Sequence, residues 1–194
     1  FDLRDRFDAA VVRPFCDAYL EGRTPNPCIA CNRFLKFESL QQRRRELGLD
    51  YVATGHYART ERDAGSGRVL LKRAVHPEKD QSYVLWSLSQ AQLERVCFPL
   101  GGLSKEEIRA IAARQGFGNA EKKESQDICF IPDGDYAAFL RRYMGREYPP
   151  GPFLDQNGRR LGTHEGIVSY TVGQRRGLGI SSEGRLYVKE LRPE

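Results

Sequence analysis

Two thiols separated by two residues, Cys28 and Cys31, are the sharpest chemical feature of the chain. The segment 24–27, with Pro25 and Pro27, cannot continue the preceding helix, and a helical pattern of apolar residues resumes from Asn32. Both thiols are therefore expected near the first turn of a helix, where unpaired backbone N–H groups favour a thiolate. Either could act as a nucleophile. The alternative is a buried pair without chemistry, because the motif is short.

Cys129 is the third thiol of interest. It lies in the apolar run 128–131, which predicts a buried strand, and it follows the cationic segment 122–127. The lysines of that segment could stabilise a thiolate or an arriving phosphate. Considered by itself, a cysteine in an apolar strand is more often a packing residue. Cys16 and Cys97 also lie on apolar patterns and are assigned to packing.

Metal ligation finds little support in the sequence. A structural zinc site would need more ligands, since there is no second Cys-x-x-Cys pair and the three histidines lack a matching ligand pair. An iron–sulfur cluster held by Cys28, Cys31 and Cys129 stays an alternative that we do not favour, because one iron position would lack a cysteine ligand. We therefore predict no metal ligands.

A glycine and a histidine follow the short apolar stretch 51–54, which predicts a buried strand. Ligands of open α/β sheets gather at the carboxyl ends of strands. Gly55 would allow the close backbone approach that a nucleotide phosphate or ribose needs. His56 could contact a ligand or could be a structural side chain, and the sequence favours neither interpretation.

Two adjacent guanidinium groups, Arg175 and Arg176, are bracketed by Gly173 and Gly177. Arginines on such a loop are suited to holding a phosphate backbone. The alternative is a solvated turn.

Composition limits the classes of protein. The chain has 194 residues, of which 40% are hydrophobic and 29% charged, as in a globular protein. No apolar run approaches the roughly 18 residues that span a bilayer, so we expect no membrane insertion. A net charge of +5 and a pI of about 9.0 modestly favour a polyanionic partner. Five cysteines without framework spacing indicate a reducing cytoplasm.

The elements that must position these residues alternate between helix and strand. Helices are predicted over 7–20, from Asn32 to Leu47, over 90–96, and from a capping box at Ser104 to Gly116. Strands are predicted at 51–54 and 128–131, with a hairpin whose turn is 63–67. After Pro132 come one helix, 136–143, and short strands with turns at 157–158, 173 and 177. This order indicates an α/β layer structure followed by a separate small module.

Five segments, taken together and in order, resemble the MnmA/TrmU family of tRNA 2-thiouridylases, and the resemblance covers essentially the whole chain. They are 22–27 leading into Cys31-Asn32 and Lys36-Phe37, then 53–58, 79–83, 122–125 with 128–131, and 170–180. Any one of these segments alone would be weak evidence for the family, but the five in this order are specific to it.

The resemblance implies a fold and a reaction. The fold is α/β: residues 1–132 would form the C-terminal portion of an ATP-pyrophosphatase-like (adenine nucleotide alpha hydrolase-like) parallel-sheet domain. Residues 133–194 would form a small mixed central domain that contributes to tRNA binding. In the family, ATP with Mg²⁺ adenylates the C2 oxygen of the wobble uridine, and a cysteine persulfide then delivers sulfur. The partners implied are tRNA and a sulfur-donor protein, either a cysteine desulfurase or a relay protein.

The resemblance also assigns roles to residues. Cys129 would carry the persulfide, and Cys31 would be the partner nucleophile, able to form a disulfide with Cys129 after sulfur is released. Gly55 would contact ATP. The remaining assignments concern the target base, namely Asn26, Pro27 and Cys28, and the rest of the tRNA, namely His56, Lys79, Asp80 and Gln81, to which we add Arg175 and Arg176.

Two departures from the family pattern matter. The glycine-rich Ser-Gly-Gly-Val-Asp-Ser phosphate loop and the C-terminal β-barrel have no counterpart in the sequence, so we expect that the chain alone cannot adenylate tRNA. Position 28 is Asp in some members and Cys in others, which leaves a disulfide or cluster role of Cys28 open.

Two other classes of protein compete with the sulfurtransferase. A different ATP-pyrophosphatase-type enzyme, such as a synthetase, would not need both Cys31 and Cys129. A non-catalytic RNA-binding module would bind tRNA without turnover.

Overall fold

The computed structural model describes residues 1–118, 128–182 and 184–193. The cationic segment 122–127, predicted to support Cys129, lies outside the described residues. The chain divides into two compact units. The described part of the first comprises 1–10 and 28–118, and that of the second comprises 11–27, 128–182 and 184–193.

The first predicted helix is confirmed and begins earlier than expected. Helix α1, Arg4–Phe7, continues through a π-helical segment, Asp8–Val12, into α2, Arg13–Leu20. After Gly22 the backbone N–H of Arg23 donates to the carbonyl of Ala18 at 2.8 Å, which ends the helix.

The second predicted helix is also confirmed, and it begins at Pro27 rather than Asn32. Helix α3, Pro27–Ala30, leads into a π-helical segment, Cys31–Ser39, and then into α4, Leu40–Glu46. Proline suits the first helical position because its missing N–H would have no acceptor there. The two thiols thus lie in the first turns of a helix, as predicted.

A parallel strand pair and a hairpin follow. Strand β1, Val52–Ala53, pairs in parallel with β4, Val96–Cys97, with Val52 opposite Val96. The predicted hairpin is confirmed as β2, Ala58–Arg62, antiparallel to β3, Val69–Arg73. The helix predicted over 90–96 is too long: α5 is Gln90–Leu93, because Val96 is already paired with β1.

The first unit has one apolar core that joins the helices to the hairpin. Two short 3₁₀ segments, Pro77–Lys79 and Ser82–Leu85, connect β3 to α5. Helix α6, Lys105–Arg114, begins with the predicted capping box of Ser104 and Glu107. The core consists of Phe37, Ala58, Val69, Val84, Leu85, Leu93, Val96 and Phe98.

The second unit combines a helix with a short hairpin. Helix α7, Tyr136–Met144, is capped by Asp135, whose carboxylate accepts from the backbone N–H of Ala138 at 2.8 Å. Strand β5, Gly151–Leu154, pairs antiparallel with β6, Arg160–His164, across the predicted turn at 157–158. A 3₁₀ segment, Ile167–Ser169, follows.

The strand predicted over 128–131 is wrong. This segment is a turn, closed by the backbone N–H of Ile131 donating to the carbonyl of Ile128 at 2.8 Å. Ile131 is buried and Cys129 is exposed, so the prediction of Cys129 as a core residue is wrong too. A four-residue apolar run cannot by itself distinguish a strand from a turn anchored by its apolar ends.

Cys16 is fully buried, as predicted, whereas Cys97 at the end of β4 is exposed, which corrects its assignment to packing. Among the described residues, no helix has the length and apolar character needed to cross a membrane.

Candidate functional site

The Cys-x-x-Cys pair is presented by the start of α3. Asn26 is exposed just before the helix, Pro27 is buried, Cys28 is exposed, and Cys31 is partly buried at the start of the π-helical segment. The first turns of this helix therefore carry both thiols.

Asn32 is a residue of this region whose position sequence reasoning missed. Its side chain is only 3% exposed, and its Nδ2 donates to the carbonyl of Cys28 at 2.9 Å. Its Oδ1 is buried without a hydrogen-bond partner. The bond braces the Cys-x-x-Cys turn from inside. A signal was present, because Asn32 shares the inward face of the helix with Leu35 and Ser39, which are also buried.

Gly55 lies at the carboxyl end of β1. The backbone N–H of Thr54 donates to the carbonyl of Cys97 at 3.1 Å, which extends the parallel pairing to the residue before it. Gly55 is exposed, and within the described residues a Cβ built there would meet only the Cδ1 of Leu100, at 3.5 Å. The protein leaves room at this strand end, which fits the predicted nucleotide contact.

His56 is directed into the protein. It is 7% exposed, its ring lies 5.8 Å from that of Phe37 and 6.0 Å from that of Phe98, and its Nδ1 is 2.8 Å from the Oγ1 of Thr54. Burial lowers the pKa of His56 to about 4, with a further contribution from the charge of Lys36. The imidazole is therefore neutral near pH 7. A contact between His56 and tRNA stays a prediction.

Gln81 joins the segment 79–81 to the strand end at Gly55 and His56. Its backbone N–H donates to the carbonyl of Tyr57 at 2.9 Å, and its Oε1 accepts from the N–H of Tyr57 at 3.0 Å. This pair of bonds places Lys79, Asp80 and Gln81 next to the predicted nucleotide position.

Asp80 holds the same segment from the other side. Its carboxylate accepts from the backbone N–H of Ala74 at 2.8 Å and from the Oγ of Ser82 at 2.7 Å, and it lies 3.7 Å from the Nε of Arg73. Burial acts to raise the pKa of Asp80, but these hydrogen bonds outweigh it and lower the pKa. The side chains of Asp80 and Gln81 are thus engaged within the protein.

Cys129 belongs to the second unit. Its exposed turn is anchored by Phe130, whose ring packs edge-on against Phe15 and tilted against Phe139, both at 5.4 Å between centroids. Cys31 belongs to the first unit, and the pairing of the two thiols stays a prediction.

The predicted arginine loop has a defined backbone. Gly173 and Gly177 have φ values of 86° and 73°, a region that favours glycine. The side chain of Gln174 ties the loop together, accepting from the N–H of Thr171 and donating to the carbonyl of Arg176, each at 3.0 Å. Arg175 and Arg176 are exposed, so both guanidinium groups can reach a phosphate.

Metal ligands are not assembled in the part of the chain that the structure describes. There, no group of three or more His, Cys, Asp or Glu side chains is placed to hold a metal ion.

Two family models cover most of the chain. Residues 1–133 match the tRNA methyl transferase HUP domain, and residues 137–194 match the tRNA methyl transferase PRC-barrel domain. The predicted fold class is confirmed: a nucleotide alpha hydrolase-like α/β domain with a parallel sheet is followed by a small second domain. The division at residue 132 stays a prediction.

Several curated relatives are named tRNA-specific 2-thiouridylase. The tRNA-specific 2-thiouridylase MnmA 1 of Caldanaerobacter subterraneus subsp. tengcongensis is 51% identical over 193 residues, covering 100% of this chain and 53% of its own length. MnmA of Heliobacterium modesticaldum is 52% identical over 191 residues, covering 98% of this chain and 50% of its own length. MnmA of Geotalea uraniireducens is 51% identical over 187 residues, covering 96% of this chain and 50% of its own length. The chain spans about half the length of the curated relatives it matches and belongs to the MnmA family.

Proposed function

We propose that this chain is the portion of a tRNA 2-thiouridylase that carries both reactive cysteines. The observation that carries the proposal is identity of 51% to a protein of that name over 193 residues, a stretch that includes Cys31, Gly55 and Cys129. The reaction would replace the C2 oxygen of the wobble uridine by sulfur, giving 2-thiouridine in tRNA.

ATP would supply the activation by adenylating the C2 oxygen, which makes that oxygen a good leaving group. Gly55 fits the role of an ATP contact, because it is exposed at a strand end and a side chain there would meet, among the residues that the structure describes, only Leu100. Its lack of a side chain lets the backbone approach the nucleotide.

Cys129 would receive a sulfur atom from a cysteine desulfurase or relay protein and carry it as a persulfide. Its exposure on a turn suits attack of its thiolate on the outer persulfide sulfur of the donor protein, whose cysteine leaves as a thiolate. The terminal persulfide sulfur would form the bond to C2 as the activated oxygen departs. The thiolate of Cys31 would then attack Sγ of Cys129, forming a Cys31–Cys129 disulfide and leaving the sulfur on the uridine. A reductant must restore the thiols, in keeping with a cytoplasmic setting.

Other residues would bind the tRNA. Asn26, Pro27 and Cys28 would lie against the target base, beside Cys31 on the same helix start. Lys79 would contact the tRNA directly, whereas Asp80 and Gln81, held by bonds to Ala74, Ser82 and Tyr57, would keep the segment in position. His56, buried and neutral, would fix the strand end that this segment joins. Arg175 and Arg176 would hold a phosphate.

The test is ATP-dependent thiolation of a tRNA transcript by the full-length protein, with a persulfide donor supplied. We expect Cys31→Ser and Cys129→Ser each to lower the rate by about 10³-fold or more, because residues that act as one unit fail together. Cys97→Ser is the matched control, since it alters an exposed thiol without a proposed role. Thiolation that survives in Cys129→Ser would remove the persulfide assignment and favour a synthetase.

A further inference from the structure

Two large aromatic side chains, Tyr83 and Trp86, stand out of the first unit beside the segment 79–81. Tyr83 is 59% exposed and Trp86 is 68% exposed. Ser82–Leu85 is a 3₁₀ helix, and Trp86 extends it with φ −57° and ψ −24°. Side chains three residues apart on a 3₁₀ helix are eclipsed, so both rings lie on one face.

The opposite face of this turn is fixed in the core. Val84 is 5% exposed and Leu85 is 0% exposed, and both belong to the core cluster of the first unit. The rings of Tyr83 and Trp86 cannot turn inward while these two residues stay packed. They form a small aromatic face, which we call the aromatic pair.

The segments on both sides of the aromatic pair are tied to the hairpin and the strand end. Before it, Gln81 exchanges two hydrogen bonds with the backbone of Tyr57. After it, Gln90 accepts from the N–H of Val69 at 3.0 Å and donates to its carbonyl at 2.8 Å. The position of the pair relative to the predicted nucleotide contact is therefore set by the fold.

Positive charge adjoins the aromatic pair. The Nε of Arg73 lies 3.7 Å from the carboxylate of Asp80, which itself accepts from the Oγ of Ser82, the residue before Tyr83. The Nε of Arg59 donates to the carbonyl of Arg73 at 2.9 Å. Two guanidinium groups thus lie at the hairpin end that Asp80 ties to the residue before Tyr83, and Asp80 offsets part of the charge of Arg73. Rings flanked by cations are the pattern by which proteins bind unpaired nucleic acid, stacking bases and pairing phosphates.

We propose that Tyr83 and Trp86 form a stacking platform for an unpaired base of the tRNA. The proposal rests on the proposed function, because it takes the polyanion to be tRNA. Every base presents a flat face, so the platform would hold a nucleotide near the site without reading its identity. Removing either ring is expected to weaken tRNA binding by about tenfold or more.

Trp86 makes the platform directly observable, because it is the only tryptophan of the 194 residues. We would titrate the chain with a fluorescein-labelled anticodon stem-loop transcript, reading anisotropy for binding and tryptophan emission for stacking. A fully paired RNA duplex of equal length and inorganic polyphosphate serve as probes of charge alone. We expect the stem-loop to quench Trp86, and the duplex and polyphosphate to bind without quenching.

The variants provide the second measurement. Tyr83→Ala and Trp86→Ala should weaken binding, whereas Trp86→Phe, which keeps a ring, should restore most of the affinity. Tyr51→Ala is the matched control, because Tyr51 is an equally exposed tyrosine of the same unit, at 59%. These positions are exposed, so circular dichroism should show all variants folded.

Each outcome decides one point. Binding of the stem-loop without quenching, equal quenching by the duplex, or full affinity in Trp86→Ala would overturn the platform and leave the proposed function standing. No binding of any tRNA, by this chain or by the full-length protein, would overturn the platform and the proposed function together.

Discussion

Cys31 and Cys129 lie in regions whose backbones are held by different means. Around Cys31 the first unit uses a hydrogen bond between a side chain and the backbone, from Asn32 to the carbonyl of Cys28. Around Cys129 the second unit uses aromatic packing of Phe130. Hydrogen bonds fix direction, which suits the roles proposed for Cys31 and Gly55. An aromatic anchor leaves its neighbouring thiol exposed, which suits the role proposed for Cys129.

The largest expected effect concerns close backbone approach in the first unit. A Cβ on Gly101 would lie 1.8 Å from the carbonyl oxygen of Ala58, and the carbonyl of Gly101 accepts from Val75 at 3.0 Å. Gly101→Ala should therefore lower the free energy of unfolding by about 3 kcal/mol or more, measured by urea denaturation. Gly55→Ala is the control and should change it by less than about 0.5 kcal/mol. Equal effects would show that the strand-end region tolerates displacement of its backbone.

The aromatic anchor of the second unit gives the next effect. Phe130→Ala removes a half-buried ring from contacts with Phe15 and Phe139 and should lower the free energy of unfolding by about 2–3 kcal/mol. Urea denaturation followed by near-ultraviolet circular dichroism measures the loss. Phe130→Leu should recover part of it by restoring apolar volume. If Phe130→Ala cost nothing, the turn at Cys129 would be held by some other contact and the contrast between the regions would fail.

The two regions should also respond differently to pH, because His56 lies in the first. The pKa of His56 is lowered from 6.5 to about 4, so between these values the unfolded chain binds more protons than the folded chain. The free energy of unfolding should fall as the pH decreases through this window, by about 2 kcal/mol from His56 alone.

Urea denaturation at a series of pH values measures that dependence. His56→Gln keeps the carboxylates that titrate in the same range and removes only the imidazole. The wild-type protein should lose more stability than this variant between pH 6.5 and pH 4. Identical pH profiles would mean that His56 is solvated, contrary to its burial between Phe37 and Phe98.

The smallest effect concerns the brace at Cys31. Asn32→Ala should lower the free energy of unfolding by about 1 kcal/mol. Because the same bond holds the turn closed, the rate at which iodoacetamide alkylates Cys31 should rise by about fivefold. Ser39→Ala is the matched control, because it removes one bond, from the Oγ of Ser39 to the carbonyl of Phe34, in the same π-helical segment. Mass spectrometry of iodoacetamide-treated protein reads the rate. Equal alkylation rates of Cys31 in the two variants would show that Asn32 does not specifically restrict access to this thiol.

Sequence reasoning succeeded where the deciding interactions are between near neighbours in the chain. Pro25 and Pro27 restrict their own backbone and that of the preceding residues, so the helix start beside Cys28 and Cys31 could be located within five residues. Ser104 and Glu107 satisfy each other's backbone donors within one turn, so the capping box was predicted correctly.

The sequence could not decide what depends on partners far along the chain. Gln81 forms hydrogen bonds with Tyr57, 24 positions away, and Gln90 with Val69, 21 positions away. No local sequence pattern predicts either pair. For the same reason the hydrogen bonds of Asp80 with Ala74 and of Gln81 with Tyr57 could not be predicted, and the contacts of Asp80 and Gln81 with tRNA stay a prediction. The sequence also could not predict the exposure of Cys129, because a run of four apolar residues is compatible with a strand and with an anchored turn.

By itself, then, the sequence determined the family, the helix starts, the hairpin and the identity of the candidate nucleophiles. Only the tertiary structure decided which side chains face outward: it buried His56 and Asn32 and exposed Cys129, Tyr83 and Trp86. The physical reason is that local propensity acts through neighbouring residues, whereas burial and hydrogen-bond partners are set by whichever distant segments pack against a residue once the core has formed.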